Sequence, residues 1–317
     1  MQASDTDMLP RLGIGHAVQR CLLLVLCLLL PFQAAARPLI LLSETSELYQ
    51  HVSEEIKRAY QQPLDEYSTE NFPAQSQPGM DLSVAVGAKA CELLLQRSSD
   101  SSDLVCTFIP RASFDALIAL YGSDNTRVPR RITAVYLDQP LPRQLHLARL
   151  LKPQAKSVGT MFGPFSADSQ PLFLQAAAAE QLIPVSITLK ASDNPVEQLK
   201  PLIRQSDVFL ALPDRALFNR ATAKWLLYIT LQQQIPVIGF SRTYVEAGAL
   251  AAVYSTPRQI GRQTGELLHT LTPSRPLPAP AYPKYFNVSS NPVVARSLHL
   301  PVPDDSVLLR ALTEGAP

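Results

Sequence analysis

The chain is poor in glycine, cysteine and tryptophan, with 12, four and one of these residues among 317. Because 28 prolines accompany the 12 glycines, we expect stiff loops rather than flexible ones. Neither a P-loop nor a G-x-G-x-x-G motif is present, so these signatures of nucleotide binding are lacking. The few histidines are not spaced with cysteines or carboxylates as metal ligands are. The sequence therefore predicts neither a metal site nor a cofactor.

A strong charge of either sign is also lacking. The 28 basic and 27 acidic side chains leave a formal net charge of +1. Because a net charge this small produces no long-range electrostatic field, nothing favours nucleic acid or an anionic membrane surface as a partner. A hydrophobic fraction of 46% with 17% charged residues is typical of a globular protein. A length of 317 residues is long for a single core and suits two lobes.

The apolar run near the N-terminus, at residues 21–30, is short. A membrane anchor would need roughly 20 apolar residues to cross a bilayer. Basic residues precede the run, and an Ala-Ala-Ala motif at residues 34–36 provides a cleavage site. We therefore expect residues 1–36 to be a secretory signal peptide and the mature protein to be periplasmic. Translation can start at Met1 or at Met8, and the sequence does not decide between them.

Cleavage of this leader would leave two cysteines, Cys91 and Cys106. An oxidising compartment permits a disulfide bond between them. However, Cys91 lies early in a predicted helix, whereas Cys106 lies inside a predicted strand. We favour two buried free thiols, with the disulfide as the alternative.

Beyond residue 37, apolar strand patterns alternate with helical patterns of about 10–15 residues. Such alternation implies parallel sheets with right-handed crossovers. A first series of strands and helices ends with the strand pattern at residues 131–138. Pro140, just after it, marks a change of direction, and a second series of strands and helices follows. The predicted fold is therefore α/β, with two Rossmann-like lobes. Gly261 and Gly265, four residues apart on a predicted helix, indicate close packing against a neighbouring element.

Polar and aromatic residues follow several of the predicted strands. In an open parallel sheet, ligands bind beyond the carboxyl ends of the strands. An arginine there can hold a carboxylate, an aspartate can pair with an ammonium group, and a phenylalanine can stack on a ring. For each single residue, a solvated loop charge or a core aromatic is the alternative interpretation. The candidate ligand-binding residues are Ser43, Glu44, Ala88, Lys89, Arg111, Asp138, Phe162, Phe165, Asp214, Ser241 and Arg242.

A catalytic function would have its best support in Gly-Phe-Ser-Arg-Thr at residues 239–243. This segment approaches the G-x-S-x-G nucleophile elbow but lacks its second glycine, and no histidine follows at a persuasive position. We therefore predict no catalytic residue and no enzymatic activity. Ser241 is then a structural or ligand-facing serine.

Several motifs also occur in an order that resembles one protein family. In chain order they are Gln-Pro-Leu-Pro-Arg-Gln-Leu (139–145), Leu-Lys-Pro-Gln-Ala-Lys-Ser-Val-Gly (151–159), a strand ending in Pro-Asp (207–214), Ile-Pro-Val-Ile-Gly (235–239), Val-Glu-Ala-Gly-Ala-Leu-Ala (245–251), Gly-Arg-Gln-Thr-Gly-Glu (261–266) and the segment 287–303. From about residue 132 onward, the chain resembles the ABC-transporter substrate-binding proteins of the type 1 periplasmic-binding fold. The likeness is to their branch associated with aromatic amino acids.

This resemblance implies a hinge of three crossovers between the lobes. Residues 37–138 and 250–277 would form lobe one, and residues 139–249 and 284–317 would form lobe two. The implied function is that of a periplasmic solute-binding protein, which captures a small molecule such as an amino acid or a related metabolite. Its implied partner is an ABC permease in the inner membrane, and we expect a monomer. The alternative is a periplasmic sensor or regulatory module of the same fold that acts on a membrane partner.

Overall fold

The computed structural model describes residues 37–73, 82–97, 103–121, 131–190, 192–214, 216–272 and 275–315. Arg37–Pro317 form a compact unit that contains two sheets. The predicted signal peptide, residues 1–36, lies outside the described residues. Among the described helices, none combines the length and the apolar character needed to cross a membrane.

The first sheet is parallel throughout, with the strand order β2-β1-β3-β4-β5 among the described residues. Its strands are β1 (Leu39–Leu42), β2 (Asp65–Ser68), β3 (Leu82–Val86), β4 (Asp103–Ile109) and β5 (Ile132–Tyr136). Its helices are α1 (Glu47–Tyr60), α2 (Ala88–Arg97) and α3 (Arg111–Tyr121). Alternate side chains of a strand point to opposite faces, so Leu39 and Leu41 enter one core while Ile40 and Leu42 enter another. Both faces of this sheet are therefore covered.

The second sheet has the order β11-β10-β9-β8-β6-β7, and only the edge strand β11 runs antiparallel among the strands described. Its strands are β6 (Ser157–Phe162), β7 (Ile183–Thr188), β8 (Val208–Leu210), β9 (Val237–Gly239), β10 (Ala251–Tyr254) and β11 (Asn287–Ser290). The remaining helices are α4 (Leu141–Leu151), α5 (Gln170–Ala179), α6 (Pro195–Ile203), α7 (Arg220–Gln232), α8 (Arg242–Glu246), α9 (Pro257–Thr270), α10 (Pro292–Ser297) and α11 (Asp305–Glu314). Most of these helices surround the second sheet, whereas α9 packs against α1 of the first lobe. The prediction of two α/β lobes is confirmed.

The chain crosses between the lobes three times. It leaves the first sheet after β5 and enters α4, which packs near the second sheet. It returns after β10 into α9, and it then runs beside β5, where Ala281 forms a parallel bridge with Val135. From there it enters β11 of the second sheet. The predicted hinge of three crossing segments is confirmed.

One boundary of the predicted lobes is wrong. Residues 250–277 were expected in lobe one, but β10 pairs with β9 and β11 of the second sheet. The crossing therefore lies after Tyr254, and only the helix that follows belongs to the first lobe. A short run of small apolar residues fits a buried strand of either sheet, so the pairing partner was not readable from the sequence. The other lobe boundaries stay a prediction.

Cys91 and Cys106 are joined by a disulfide bond, with 5.7 Å between their Cα atoms. The preference for two free thiols is therefore wrong, and the alternative holds. Helix α2 follows β3 and packs over β4, which is the neighbouring strand of the sheet. This crossover places the first turn of the helix above the middle of β4, and both cysteines are fully buried there.

Helices α1 and α9 pack closely through a glycine pair. A Cβ atom on Gly261 would stand 2.4 Å from the carbonyl oxygen of Val52, and one on Gly265 would stand 2.6 Å from the Cβ of Ala59. Both distances are too short for real atoms, so the spacing of the two helices depends on these glycines. The packing role expected for this pair is confirmed.

Candidate functional site

In the first lobe, Ser43 directly follows β1 and is 4% exposed. Its hydroxyl accepts a hydrogen bond from the N–H of Ala90 at 2.9 Å, in the first turn of α2. Gly87 has a φ of +91°, and a Cβ there would stand 2.6 Å from the Ser43 oxygen. Ser43 therefore holds the start of α2, and Ala88, the half-buried first residue of that helix, lies beside it.

Glu44 and Lys89 form an ion pair at 3.5 Å. Their side chains are 49% and 70% exposed, so solvent screens the pair and it contributes little to stability. Both charges lie where β1 and β3 end, as predicted from the sequence, and they remain accessible to a dissolved molecule.

Arg111 and Asp138 lie in direct contact at the ends of β4 and β5. The backbone N–H of Arg111 donates to Oδ2 of Asp138 at 2.6 Å. The Arg111 guanidinium donates to the hydroxyl of Tyr282 at 3.0 Å and to Asp115 at 3.2 Å. Tyr282 belongs to the third crossing segment and was not predicted as a site residue. The strand ends and the hinge therefore meet at this cluster of an arginine, an aspartate and a tyrosine.

The carboxyl group of Asp138 is electrostatically unusual. Burial raises its pKa from 3.8 to about 6, although the N–H hydrogen bond from Arg111 acts in the opposite direction. The neighbouring charge of Asp115 adds to the increase. Burial also raises the pKa of Tyr136, at the end of β5, to about 12. A cationic group placed beside Asp138 would favour the ionised carboxylate.

In the second lobe, Asp214 has a structural role. It is 1% exposed, and its carboxylate accepts hydrogen bonds from the Phe165 N–H at 3.0 Å, the Ser166 hydroxyl at 2.8 Å and the Ala216 N–H at 2.9 Å. These bonds join the loop after β6 to the loop after β8. Asp214 therefore holds two loops together, and its contact with a ligand stays a prediction. Its donors come from segments about 50 residues apart, which a reading of single strand ends does not reveal.

Phe162 is also placed differently from the prediction. Its side chain is fully buried, and its ring meets that of Phe173 edge-on with 5.7 Å between centroids. It belongs to the core of the second lobe and not to a ligand-facing surface. Phe165, three residues later, is 44% exposed at the end of the same strand. Of the two aromatic candidates, Phe165 is the one that lies at the surface.

Ser241 immediately precedes the short helix α8, and Arg242 is its first residue. The Ser241 hydroxyl accepts from the N–H of Tyr244 at 3.2 Å and so caps the helix. Arg242 pairs with Glu246 at 3.0 Å, and its side chain is 69% exposed. A Ser at residue 241 followed by helix-compatible residues is the sequence signal for this helix.

The hinge contains a polar network that the sequence reading did not select. The Gln139 amide donates to the Ser255 hydroxyl at 2.8 Å, and that hydroxyl donates to the carbonyl of Tyr285 at 2.6 Å. Arg143 donates to Gln139 at 2.7 Å and to the carbonyl of Pro283 at 2.9 Å. All three crossing segments are thereby joined. The sequence feature that marks this network is the Gln-Pro pair after β5. Read from the sequence alone, this pair predicted only the boundary between the two lobes.

Arg143 carries a buried positive charge in this network. Burial lowers its pKa to about 10, and its guanidinium lies 4.0 Å from the centre of the Phe286 ring. Its Nε atom is buried without a hydrogen-bond partner among the described residues. In the part of the chain that is described, no group of three or more histidine, cysteine or acidic side chains is arranged to hold a metal ion.

Comparison with known families gives a match over more than half of the chain. A family model described as "ABC transporter substrate binding protein" matches residues 81–272. These residues include the ends of β4 and β5 and the first two crossing segments. No curated protein sequence matches the chain significantly.

Solved structures share the fold at low sequence identity. The ligand-free, open structure of CD0873, a substrate-binding protein with adhesive properties from Clostridium difficile, is 16% identical with a TM-score of 0.65, over 85% of this chain and 97% of that one. An ABC domain in complex with L-Trp from Streptococcus pneumoniae is 16% identical with a TM-score of 0.58, over 87% and 98%. A conserved domain protein from Vibrio cholerae is 17% identical with a TM-score of 0.57, also over 87% and 98%. At these identities the similarity is evidence for the fold alone.

Proposed function

Because this chain belongs to the family of ABC transporter substrate-binding proteins, we propose that it captures a small molecule between its two lobes and presents it to an ABC permease in the inner membrane. The family match over residues 81–272 is the observation that carries this proposal. The proposed chemistry is capture, in which no bond is made or broken, so we propose no enzymatic activity. The proposed location is the periplasm, and the proposed working form is a monomer.

The proposed site lies where the carboxyl ends of the two sheets face each other, with the hinge behind them. In lobe one, Arg111 and Asp138 supply opposite charges at adjoining strand ends. In lobe two, the exposed Phe165 and Arg242 follow β6 and β9. This combination of charged and aromatic groups suits a small molecule that carries both charges and an apolar part.

We propose an amino acid or a related metabolite as the ligand. Asp138 would pair with the ammonium group, and an arginine would hold the carboxylate. Phe165, which lies at the surface after β6, supports a ring on the ligand. One structure of the same fold holds L-Trp, which makes tryptophan a sensible first compound to test.

A thermal-shift screen of amino acids and related metabolites tests this proposal. A ligand that binds only the folded form adds about 2.7 kcal/mol of stability at a hundredfold excess over its Kd. Asp138→Asn should then weaken binding of the active compound roughly tenfold to a hundredfold, the loss expected for a charge-assisted contact. Asp304→Asn serves as the control because Asp304 is an exposed aspartate before α11. A screen in which no compound raises the melting temperature would contradict the proposal and favour the sensor alternative.

A further inference from the structure

A concave region in the second lobe runs along α7 from the loop after β9, where Ser241 lies at a strand end. It is bounded by α7 on one side and by α8 with its preceding loop on the other, and we call it the lobe-two groove. Its apolar lining includes Phe218, Leu227, Tyr228, Phe240 and Tyr244. The groove encloses about 920 Å³, near the upper end of the roughly 300–1,000 Å³ typical of small-molecule sites. Because every lining residue belongs to the second lobe, the groove does not need lobe closure to form.

Tyr244 gives this groove an unused polar group. The residue is 6% exposed, and its hydroxyl is buried without a hydrogen-bond partner among the described residues. Burial raises the pKa of this phenol, so it stays protonated and able to donate. A buried hydroxyl that lacks a partner is costly, and a small shift of the side chain toward the groove would let an acceptor on a bound molecule satisfy it.

The charges at the groove are unbalanced. Lys224 and Glu246 both line it. Glu246 is already paired with Arg242 at 3.0 Å, whereas exposed Lys224 forms no ion pair with any residue that the structure describes. The unpaired charge at the groove is therefore positive, and it would attract an anion.

We propose that the lobe-two groove is a second ligand site, which takes a small amphipathic carboxylate. The apolar body of the ligand would pack among the aromatic rings, its carboxylate would lie near Lys224, and the Tyr244 hydroxyl would donate to one of its oxygens. A free amino acid fits this groove less well, because its ammonium group would lie beside an unpaired lysine. The groove ligand is therefore of a different chemical class from the one proposed for the inter-lobe site.

The single tryptophan of the chain can report on this groove. Trp225 lies on α7, is 53% exposed, and meets the ring of Tyr228 edge-on with 6.3 Å between centroids. Tyr228 is itself a wall of the groove. A ligand that packs on Tyr228 should change the Trp225 fluorescence.

The test is a fluorescence titration of the mature protein with 4-phenylbutyrate, and separately with uncharged 4-phenylbutanamide. We expect saturable binding of both, with the carboxylate binding more tightly. Lys224→Met should weaken phenylbutyrate binding about fivefold to tenfold and leave the amide within about twofold. Tyr244→Phe should weaken both compounds by about tenfold, since each loses a hydrogen bond.

Lys200→Met is the matched control, because Lys200 is an exposed lysine on the neighbouring helix α6 and does not line the groove. It should leave both affinities unchanged. Because Lys224 is exposed, Lys224→Met should fold normally. Its binding data therefore test the proposal even if Tyr244→Phe lowers stability. The proposal is overturned if neither compound gives a saturable signal, or if Lys224→Met and Lys200→Met have the same effect on phenylbutyrate.

Discussion

Asp138 makes the stability of the protein depend on pH in an unusual direction. Its folded-state pKa of about 6 is above its ordinary value of 3.8. The protonated carboxyl therefore contributes stability that is fully present below about pH 4 and is lost as the pH rises through about 6. Between about pH 4 and pH 7.5, wild type should lose about 2–3 kcal/mol more unfolding free energy than Asp138→Asn. Urea unfolding at both pH values measures this difference, and parallel pH profiles would show that Asp138 is not buried as described.

Asp214 and Arg242 should respond very differently to removal of their charges. Asp214→Ala leaves the Phe165 N–H and the Ser166 hydroxyl without their acceptor, so we expect a loss of about 2–4 kcal/mol of unfolding free energy. Arg242→Ala removes an exposed pair with Glu246 and should cost less than about 1 kcal/mol. Urea melts of the two variants provide the comparison. Equal losses would mean that the loop contacts of Asp214 contribute little.

For individual residues, the sequence predicted the position along a strand better than the direction of the side chain. Arg111 and Asp138 were both predicted as ligand-binding residues at strand ends, and they are in contact. Phe162 was predicted in the same way, but its side chain points into the core, against Phe173. The direction of a side chain at a strand end depends on the twist and packing of the sheet, which the pattern of residues does not contain.

Among the elements, helices α1 and α9 depend on the glycine pair between them. An exposed helical Gly→Ala change ordinarily stabilises by about 0.4–1 kcal/mol. Gly261→Ala should instead destabilise by about 1–3 kcal/mol, because its Cβ would stand 2.4 Å from the backbone oxygen of Val52 and would force the helices apart. Thermal and urea unfolding of this variant show whether its unfolding free energy rises or falls relative to wild type. A stabilised Gly261→Ala protein would show that the helices are not this close.

The alternation of strands and helices was readable because each element carries a strong apolar pattern, as in β1, where every residue is buried. The elements that were missed lack such a pattern. Strand β2 reads Asp-Glu-Tyr-Ser and lies at the edge of its sheet, where backbone pairing with β1 alone defines it. Helix α8 has only five residues and depends on its Ser241 cap. Local pattern therefore identifies central elements better than edges and short helices.

For the whole molecule, the sequence predicted two lobes and, through the family resemblance, a hinge with three crossings. It did not place β10 correctly, because the partner of a buried strand is decided by the sheet as a whole. It also did not identify the network of Gln139, Arg143 and Ser255, which joins the first crossing to the second and third. The bonds from Gln139 to Ser255 and from Arg143 to Pro283 join residues more than 100 positions apart, so no local pattern marks them.

Closure of the two lobes on a small molecule is the central claim, and small-angle X-ray scattering tests it most directly. The mature protein should be measured alone and with the compound that most raises its melting temperature. Hinge closure should reduce the radius of gyration by about 1 Å, and Asp138→Asn should show no such change at the same ligand concentration. A compound whose stabilising effect is lost in Asp138→Asn, and which nevertheless leaves the radius of gyration of the wild-type protein unchanged, would contradict capture between the lobes.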